Sequence, residues 1–232
     1  MLKFMKLELH RINLRTYIIS SAIIGVVILL FTYFVAYVAQ VEQESHFMTY
    51  ENIFRFTSAI SILLFGILSA TMYSRLIIEE YSGKRMALLF SYPVSRKKIF
   101  VAKVLIVYLF VLISMLICTV VPIAIFAVTE FFSPIVSDTM TSDVLTTIFK
   151  VVAVSLIAVN AIGLIAVRIG FIKKSVSVTL ISAFILSGLY GNIAISSTGN
   201  FIVSLVISGV SLIVIFAVVV TLSNKIKLME VE

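Results

Sequence analysis

The chain has 232 residues, of which 61% are apolar and 12% are charged, with a mean hydropathy of +1.20 and a formal net charge of +7. In soluble domains about a quarter of the residues are charged. The composition of this chain therefore excludes an ordinary soluble protein and predicts an integral membrane protein. A transmembrane β-barrel is excluded as well, because its short strands would alternate apolar and polar residues.

The first 16 residues, MLKFMKLELHRINLRT, predict an amphipathic helix that lies in the membrane interface. Leu2, Met5, Leu9 and Ile12 fall on one helical stripe, with cations beside it. A plain tail whose cations only fix the topology is the alternative. The next apolar run is too long for a secretory signal, so it is predicted to be a permanent span.

Six apolar stretches qualify, or nearly qualify, as helices that cross about 30 Å of hydrocarbon. Pro122 is expected to kink the third helix near its outer end. The fifth is either one continuous helix or a helix that breaks near Gly188 before a re-entrant piece. No linker divides the sequence, so residues 1–232 are predicted to form a single all-α transmembrane domain. The predicted spans are 17–39, 56–73, 101–128, 151–167, 176–195 and 201–222.

Groups that could perform chemistry are scarce in these spans. The lone Cys118 is interpreted as an apolar filler, and Asn160 either lines a pathway or, as small neighbours such as Gly163 favour, serves helix packing. The sequence holds no nucleophile elbow, no zinc motif and no P-loop. We therefore expect no catalytic, cofactor-binding or metal-binding residue, and any transport must draw its energy from another protein.

The cations indicate the orientation. Sixteen of the 18 Lys and Arg residues fall at the N-terminus, between spans two and three, between spans four and five, and in the C-terminal tail. The intervening loops carry acids instead. The positive-inside rule then predicts both termini in the cytoplasm. Because the cations are dispersed over one membrane surface, they predict contact with anionic lipid and no nucleic-acid partner.

The loop between spans two and three is the most informative segment. Span two is predicted to run out into water as a helix as far as Glu80, and Gly83 then allows a bend. A short helix over 84–90 ends before Pro93, and Ser95 can cap the next helix. The loop thus offers an apolar knob to a cytoplasmic partner. The alternative is a basic loop that only fixes the topology.

At these residues the chain resembles the ABC-2 type permeases, the membrane subunits of one class of ATP-binding-cassette exporters. The shared pattern is an acid, a glycine turn, a leucine-rich helix and Pro-x-Ser-Arg before span three. The chain departs from it at GKRM, where many members have a Gly-Thr pair. The matching residues are Glu79 or Glu80, Gly83, Leu88, Leu89, Pro93, Ser95, Arg96, Ile99 and Lys103.

The resemblance implies that the 79–93 segment is a coupling helix that seats in a separate ABC ATPase subunit. Two permease chains, identical or paralogous, would stand on two ATPase subunits, which bind ATP and Mg²⁺ in place of this chain. The residues expected to couple the two proteins are Glu79, Glu80, Gly83, Arg85, Met86, Leu89, Phe90, Pro93, Ser95 and Arg96.

The expected function is therefore export through the cytoplasmic membrane of a bacterium. The resemblance is strongest to small permeases of amphipathic-peptide exporters, including those for phenol-soluble modulins, so antimicrobial or toxin peptides are the favoured cargo, with drugs or lipids as alternatives. A channel or pore and a non-transporting scaffold remain competing classes. An intramembrane enzyme is disfavoured, because it would need ionisable groups deep in the spans.

Overall fold

A computed structural model describes residues 8–9, 12–42, 49–81, 96–136, 141–197 and 201–227. Six helices in these ranges are long and apolar enough to cross a membrane, which confirms the predicted six-span, all-α class. They are α1 (Leu14–Glu42), α2 (Tyr50–Tyr73), α3 (Arg96–Phe132), α4 (Ser142–Lys173), α5 (Val176–Ser197) and α6 (Phe201–Lys227).

The helix bounds settle the form of the fifth span. The α5 helix continues without a break through Gly188, so the continuous form of the fifth span is correct. The α3 helix continues on both sides of Pro122, and the expected kink there stays a prediction. Most of the proposed interfacial helix lies outside the described residues, and α1 already begins at Leu14.

The α2 helix lies at the centre of the bundle. It packs most extensively against α4 and α5, and it also contacts α1 and α3. It is the most buried of the six spans, whereas α1, α5 and α6 are the most exposed. A displacement of α2 would therefore displace several neighbouring helices at the same time.

Three glycines allow the central helices to approach closely. A Cβ atom added to Gly163 would overlap the Ser69 hydroxyl, and one added to Gly66 would overlap the Ser187 hydroxyl. Each pair brings a hydroxyl of one helix against the bare backbone of another, as small residues do in membrane interfaces. Gly170 receives a threonine hydroxyl from α5 in the same way. The packing role predicted for the small residues of α4 is thus observed at Gly163.

An aromatic cluster closes one end of the bundle. Phe126 meets the rings of Tyr50 and Phe54 edge to face, with centroids 6.4 and 6.0 Å apart. The buried Glu130 carboxylate accepts hydrogen bonds from the Tyr50 hydroxyl at 2.9 Å and from the Val136 amide at 3.3 Å. The sequence suggests an outer loop over 129–143, but Glu130 lies in the last turn of α3, where it holds the segment after the helix.

Large apolar side chains cover the outward faces of the helices. They occur along α1, α3, α5 and α6, where a soluble protein would place charges. Such a surface suits hydrocarbon, and together with the six spans it makes this a multi-pass membrane protein. Representative residues are Ile23, Leu30, Ile113, Ile117, Ile181, Phe184, Leu205 and Phe216, each at least half exposed.

We expect Gly163→Ala and Gly170→Ala to destabilise the bundle by about 1–3 kcal/mol each, because overpacking forces backbones apart. The control is Gly209→Ala in α6, where an added Cβ meets nothing within 4 Å. That control should be neutral or stabilising by up to about 1 kcal/mol, because alanine favours helix. Unfolding in detergent measures the three values, and similar values for all three would contradict the packing account.

Candidate functional site: a buried ion cluster at the basic end

One end of the bundle collects most of the described cations, and we call it the basic end. Here α1, α3 and α5 begin and α2, α4 and α6 end. The opposite end carries the acids Glu51, Glu130 and Asp143. The described cations of the basic end are Arg15, Arg75, Arg96, Lys97, Lys98, Lys103, Arg168, Lys173, Lys174, Lys225 and Lys227.

The α2 helix ends at the basic end in a π-helical turn, Ser74–Ile78. The Glu79 amide donates to the Ser74 carbonyl at 3.0 Å, a spacing one residue wider than in an α-helix. Single π turns of this kind often occur at functional sites. The extra residue changes the direction in which the chain leaves the turn, and Glu80 points into the bundle, where it is 9% exposed.

Lys103, early in α3, is completely buried. Its ammonium forms an ion pair with the Glu80 carboxylate and donates to the Leu76 carbonyl at 3.3 Å. The Glu8 carboxylate lies 3.6 Å from the same ammonium. Lysines near the end of a helix stabilise its last carbonyls in this way. One side chain therefore joins the N-terminal segment, the end of α2 and the start of α3.

Charge pairing holds this cluster together. A buried charge is costly unless it is paired and hydrogen-bonded. Two carboxylates, those of Glu80 and Glu8, lie beside the one buried ammonium of Lys103. Glu8 Oε2 is buried and accepts no hydrogen bond from the described residues. The cluster is thus held by Lys103.

Aromatic rings surround the cluster. Tyr81 packs edge to face on Phe100, with centroids 6.4 Å apart, and lies 6.1 Å from the Phe171 ring. The Lys225 ammonium stands 5.8 Å from the centre of that second ring. Burial, and then the nearby carboxylates, raise the pKa of Tyr81 well above its usual range, so its hydroxyl stays protonated. The α4 and α6 helices join the same block through these contacts.

The cluster joins the two described segments that flank residues 82–95. Glu80 and Tyr81 lie buried just before residue 82, and Lys103 lies buried about two turns into α3, which begins at Arg96. The segments before and after residues 82–95 therefore belong to the same packed block. A force applied to residues 82–95 would reach α2 and α3 together. Through Lys103 the cluster connects these two helices mechanically.

Most predicted coupling residues lie outside the described part of the chain. Of those that are described, Arg96 begins α3, and Glu79 is half buried beside the turn. The expectation that Glu80 lies in water is wrong, because the π turn directs it to Lys103. The predicted residues outside the described ranges are Gly83, Arg85, Met86, Leu89, Phe90, Pro93 and Ser95.

Two members of the cluster are not among the predicted site residues. Lys103 is counted in the sequence as a loop cation, yet it sits inside the apolar run IFVAKVLIVYLF. A single cation within such a run is a signal for a buried pair, since an unpaired one would be too costly. No sequence pattern marks Glu8 as a partner of Lys103, because the two residues are far apart in the sequence and meet only in the folded chain.

The described residues form an all-helical, six-span membrane protein with a packed ion cluster at the end of the second span. Comparison with known proteins adds the family. Residues 4–187 match the model of the ABC-2 family transporter protein, and the chain belongs to that family. The uncharacterized protein YcbO of Bacillus subtilis is 25% identical over 185 residues, which cover 80% of this chain and 81% of YcbO. No solved structure matches the chain.

Membership of the ABC-2 family bears on what the ion cluster does. ABC-2 permeases are generally non-catalytic membrane components that work with ABC ATPase partners. A mechanical connection between the second and third spans is consistent with such a component.

We expect Lys103→Met to destabilise the protein by about 3–5 kcal/mol, because it removes the ammonium that Glu80 and Glu8 share. Adding Glu80→Gln to that variant should recover most of the loss, since the pair is then removed as a unit. Arg55→Gln is the matched control. It breaks the Arg55–Glu51 pair at the opposite end, which is partly exposed, and it should cost less than about 1 kcal/mol.

Thermal unfolding in detergent measures these differences. A Lys103→Met variant no less stable than Arg55→Gln would show that the cluster does not hold the basic end together.

Proposed function

We propose that this chain is the permease subunit of an ATP-driven exporter in the cytoplasmic membrane of a bacterium. The basic end and both termini face the cytoplasm, as the positive-inside rule requires. The observation that carries the proposal is the ion cluster, because Glu80 and Lys103 join the end of the second span to α3 on either side of residues 82–95. A loop attached in this way is suited to receive a push from a partner.

The proposed partners are two ABC ATPase subunits beneath two permease chains, identical or paralogous. The ATPases bind ATP and Mg²⁺, and this chain does no catalysis. In the 79–93 segment Met86, Leu89 and Phe90 would supply the apolar contact, and Arg85 and Arg96 would orient it. These roles rest on the sequence pattern and on the resemblance to the family.

The structure suggests how the push would travel. ATP binding draws the ATPases together and displaces the coupling segment. Because Lys103 links α3 to the Glu80 end of α2, the two helices would move as a unit. The α2 helix is in turn seated on α4 and α5 through Gly66 and Gly163. Close packing of this kind passes a displacement on instead of absorbing it.

For the cargo we propose amphipathic peptides of the antimicrobial or toxin type, with drugs and lipids as less favoured classes. The sequence leaves room only for short segments between the spans on the acidic side, so capture from the membrane or cytoplasm is favoured over capture by an outer domain. Glu51 is already paired with Arg55 and is a poor candidate for binding a cationic peptide.

Replacing Gly83 or Leu89 should uncouple the two proteins. Truncating a central apolar contact costs about 2 kcal/mol, which is about a 30-fold loss of ATPase affinity. The chain and its co-transcribed ATPase are reconstituted in vesicles, and export of a fluorescent amphipathic peptide is measured per ATP hydrolysed. Leu89→Ala and Gly83→Pro should lower this ratio while membrane insertion stays normal.

Leu116→Ala is the matched control, because Leu116 is an exposed leucine of α3 far along the span. It should leave the ratio unchanged. Unchanged transport in both the Gly83 and the Leu89 variants would rule out the proposed coupling role of the loop.

A further inference from the structure

Three phenylalanine side chains at the end opposite the basic end are more exposed than any other large apolar side chain of the described residues. Phe131 and Phe132, at the tip of α3, are 84% and 80% exposed, and Phe149, near the start of α4, is 77% exposed. The Phe131 and Phe132 rings meet edge to face with centroids 5.7 Å apart. Leu145, one turn before Phe149, is exposed as well. We call these four residues the outer rim.

The tip of α3 lies farther out than the hydrocarbon reaches. The Phe54 and Phe126 rings pack together, which places these two residues at one level, and next to them Arg55 forms its partly exposed ion pair. Charged side chains at a span end reach the headgroups and so mark the limit of the hydrocarbon. Phe131 and Phe132 follow Phe126 by five and six residues, which puts them about 8 Å farther out. The headgroup layer is only about 5–8 Å thick, so these rings stand at its outer edge or beyond.

The outer rim stands on a packed base. Val144 and Ile148 of α4 pack against the cluster that contains Phe126 and Val136. The tip of α3 and the start of α4 are therefore held side by side. Aromatic side chains on a fixed backbone lose little conformational entropy when a partner binds. A large exposed apolar surface of this kind is typical of an interaction site.

The charge around the outer rim selects the kind of partner. In the sequence, residues 42–55 and 129–150 at this end hold six acids and only two cations. Such a surface attracts cations and repels anionic lipid headgroups. A symmetric contact with a second copy of the chain would bring the same acidic surfaces together. The outer rim therefore fits a partner that has an apolar face and carries positive charge.

We propose that the outer rim binds the apolar face of a cationic amphipathic peptide as the peptide leaves the membrane. In such a helix apolar residues recur every three or four positions, and the other face carries Lys or Arg. The exposed rings would cover the apolar face, and the acids of this end would attract the cations. The inference rests on the proposed function, because the exported cargo is the peptide that would reach this surface.

The test places a photoreactive amino acid at the position of Phe132 or Phe149 in the full chain, held in phosphatidylcholine nanodiscs. The probe is a fluorescent amphipathic helix of leucine and lysine, and its counterpart has glutamate in place of lysine. The cationic peptide should label both positions at least about tenfold more than the acidic counterpart. Equal labelling by the two peptides would overturn the proposal. A cross-linked species of twice the chain mass in place of the peptide adduct would overturn it too, because the rim would then be an interface between copies.

Ile202 provides the matched control position. It is exposed at the start of α6, at the same end of the bundle, but it lies outside the outer rim. A peptide that only lies in the membrane interface would label the Ile202 position as strongly as the rim positions. That result would reduce the binding to general membrane attraction and overturn the proposal.

Affinity gives a second readout. The double variant Phe131→Ser, Phe132→Ser should weaken binding of the cationic peptide about tenfold in fluorescence anisotropy, because it removes two apolar contacts. Ile202→Ser should change the affinity by less than about twofold. Because all three positions are exposed, the unfolding temperature should stay close to that of the wild type. An unchanged affinity in the double variant would contradict the role of the rim.

Export separates this inference from the proposed function. A peptide that labels the rim but is not exported by the chain with its ATPase would contradict the proposed cargo alone. A peptide that is exported and leaves the rim unlabelled would contradict the rim as its binding surface.

Discussion

A buried ammonium at the start of α3 constrains the whole basic end of this protein. Lys103 has no access to solvent, and its charge is balanced only while Glu80 and Glu8 stay beside it. The helices that carry these groups cannot separate without leaving a charge unpaired in a low-dielectric site. The ends of α2 and α3 that flank residues 82–95 are therefore fixed to each other.

The rest of the bundle extends that constraint. The α2 helix fits its neighbours through contacts of a hydroxyl with a glycine, which leave little space for sliding. At the opposite end Glu130 and the aromatic rings around Phe126 hold a second block. A membrane protein gains little from apolar burial between helices, because lipid is as apolar as the side chains. Polar contacts and close backbone approach therefore supply much of its specificity.

The sequence predicts the spans well, because hydrophobic length and charge distribution are local properties. It leaves the fifth span open, because Gly188 and Gly191 are poor helix formers. The helix nevertheless continues, since a broken backbone in lipid costs more than the roughly 1 kcal/mol that a glycine costs a helix. The ion cluster is not predicted, because the π turn that directs Glu80 inward has no pattern of its own and Glu8 meets Lys103 only in the folded chain.

In the proposed function, docking of an ATPase occurs on residues 82–95, next to the Lys103 cluster. Copurification from native membranes with the co-transcribed neighbours tests it most directly, with residues 82–93 replaced by a flexible linker and Tyr81, which is buried, retained. The account predicts a stoichiometric ABC ATPase with the intact chain, and its loss with the linker variant while insertion persists. A chain that purifies alone and conducts ions in a planar bilayer would contradict the account and support a channel.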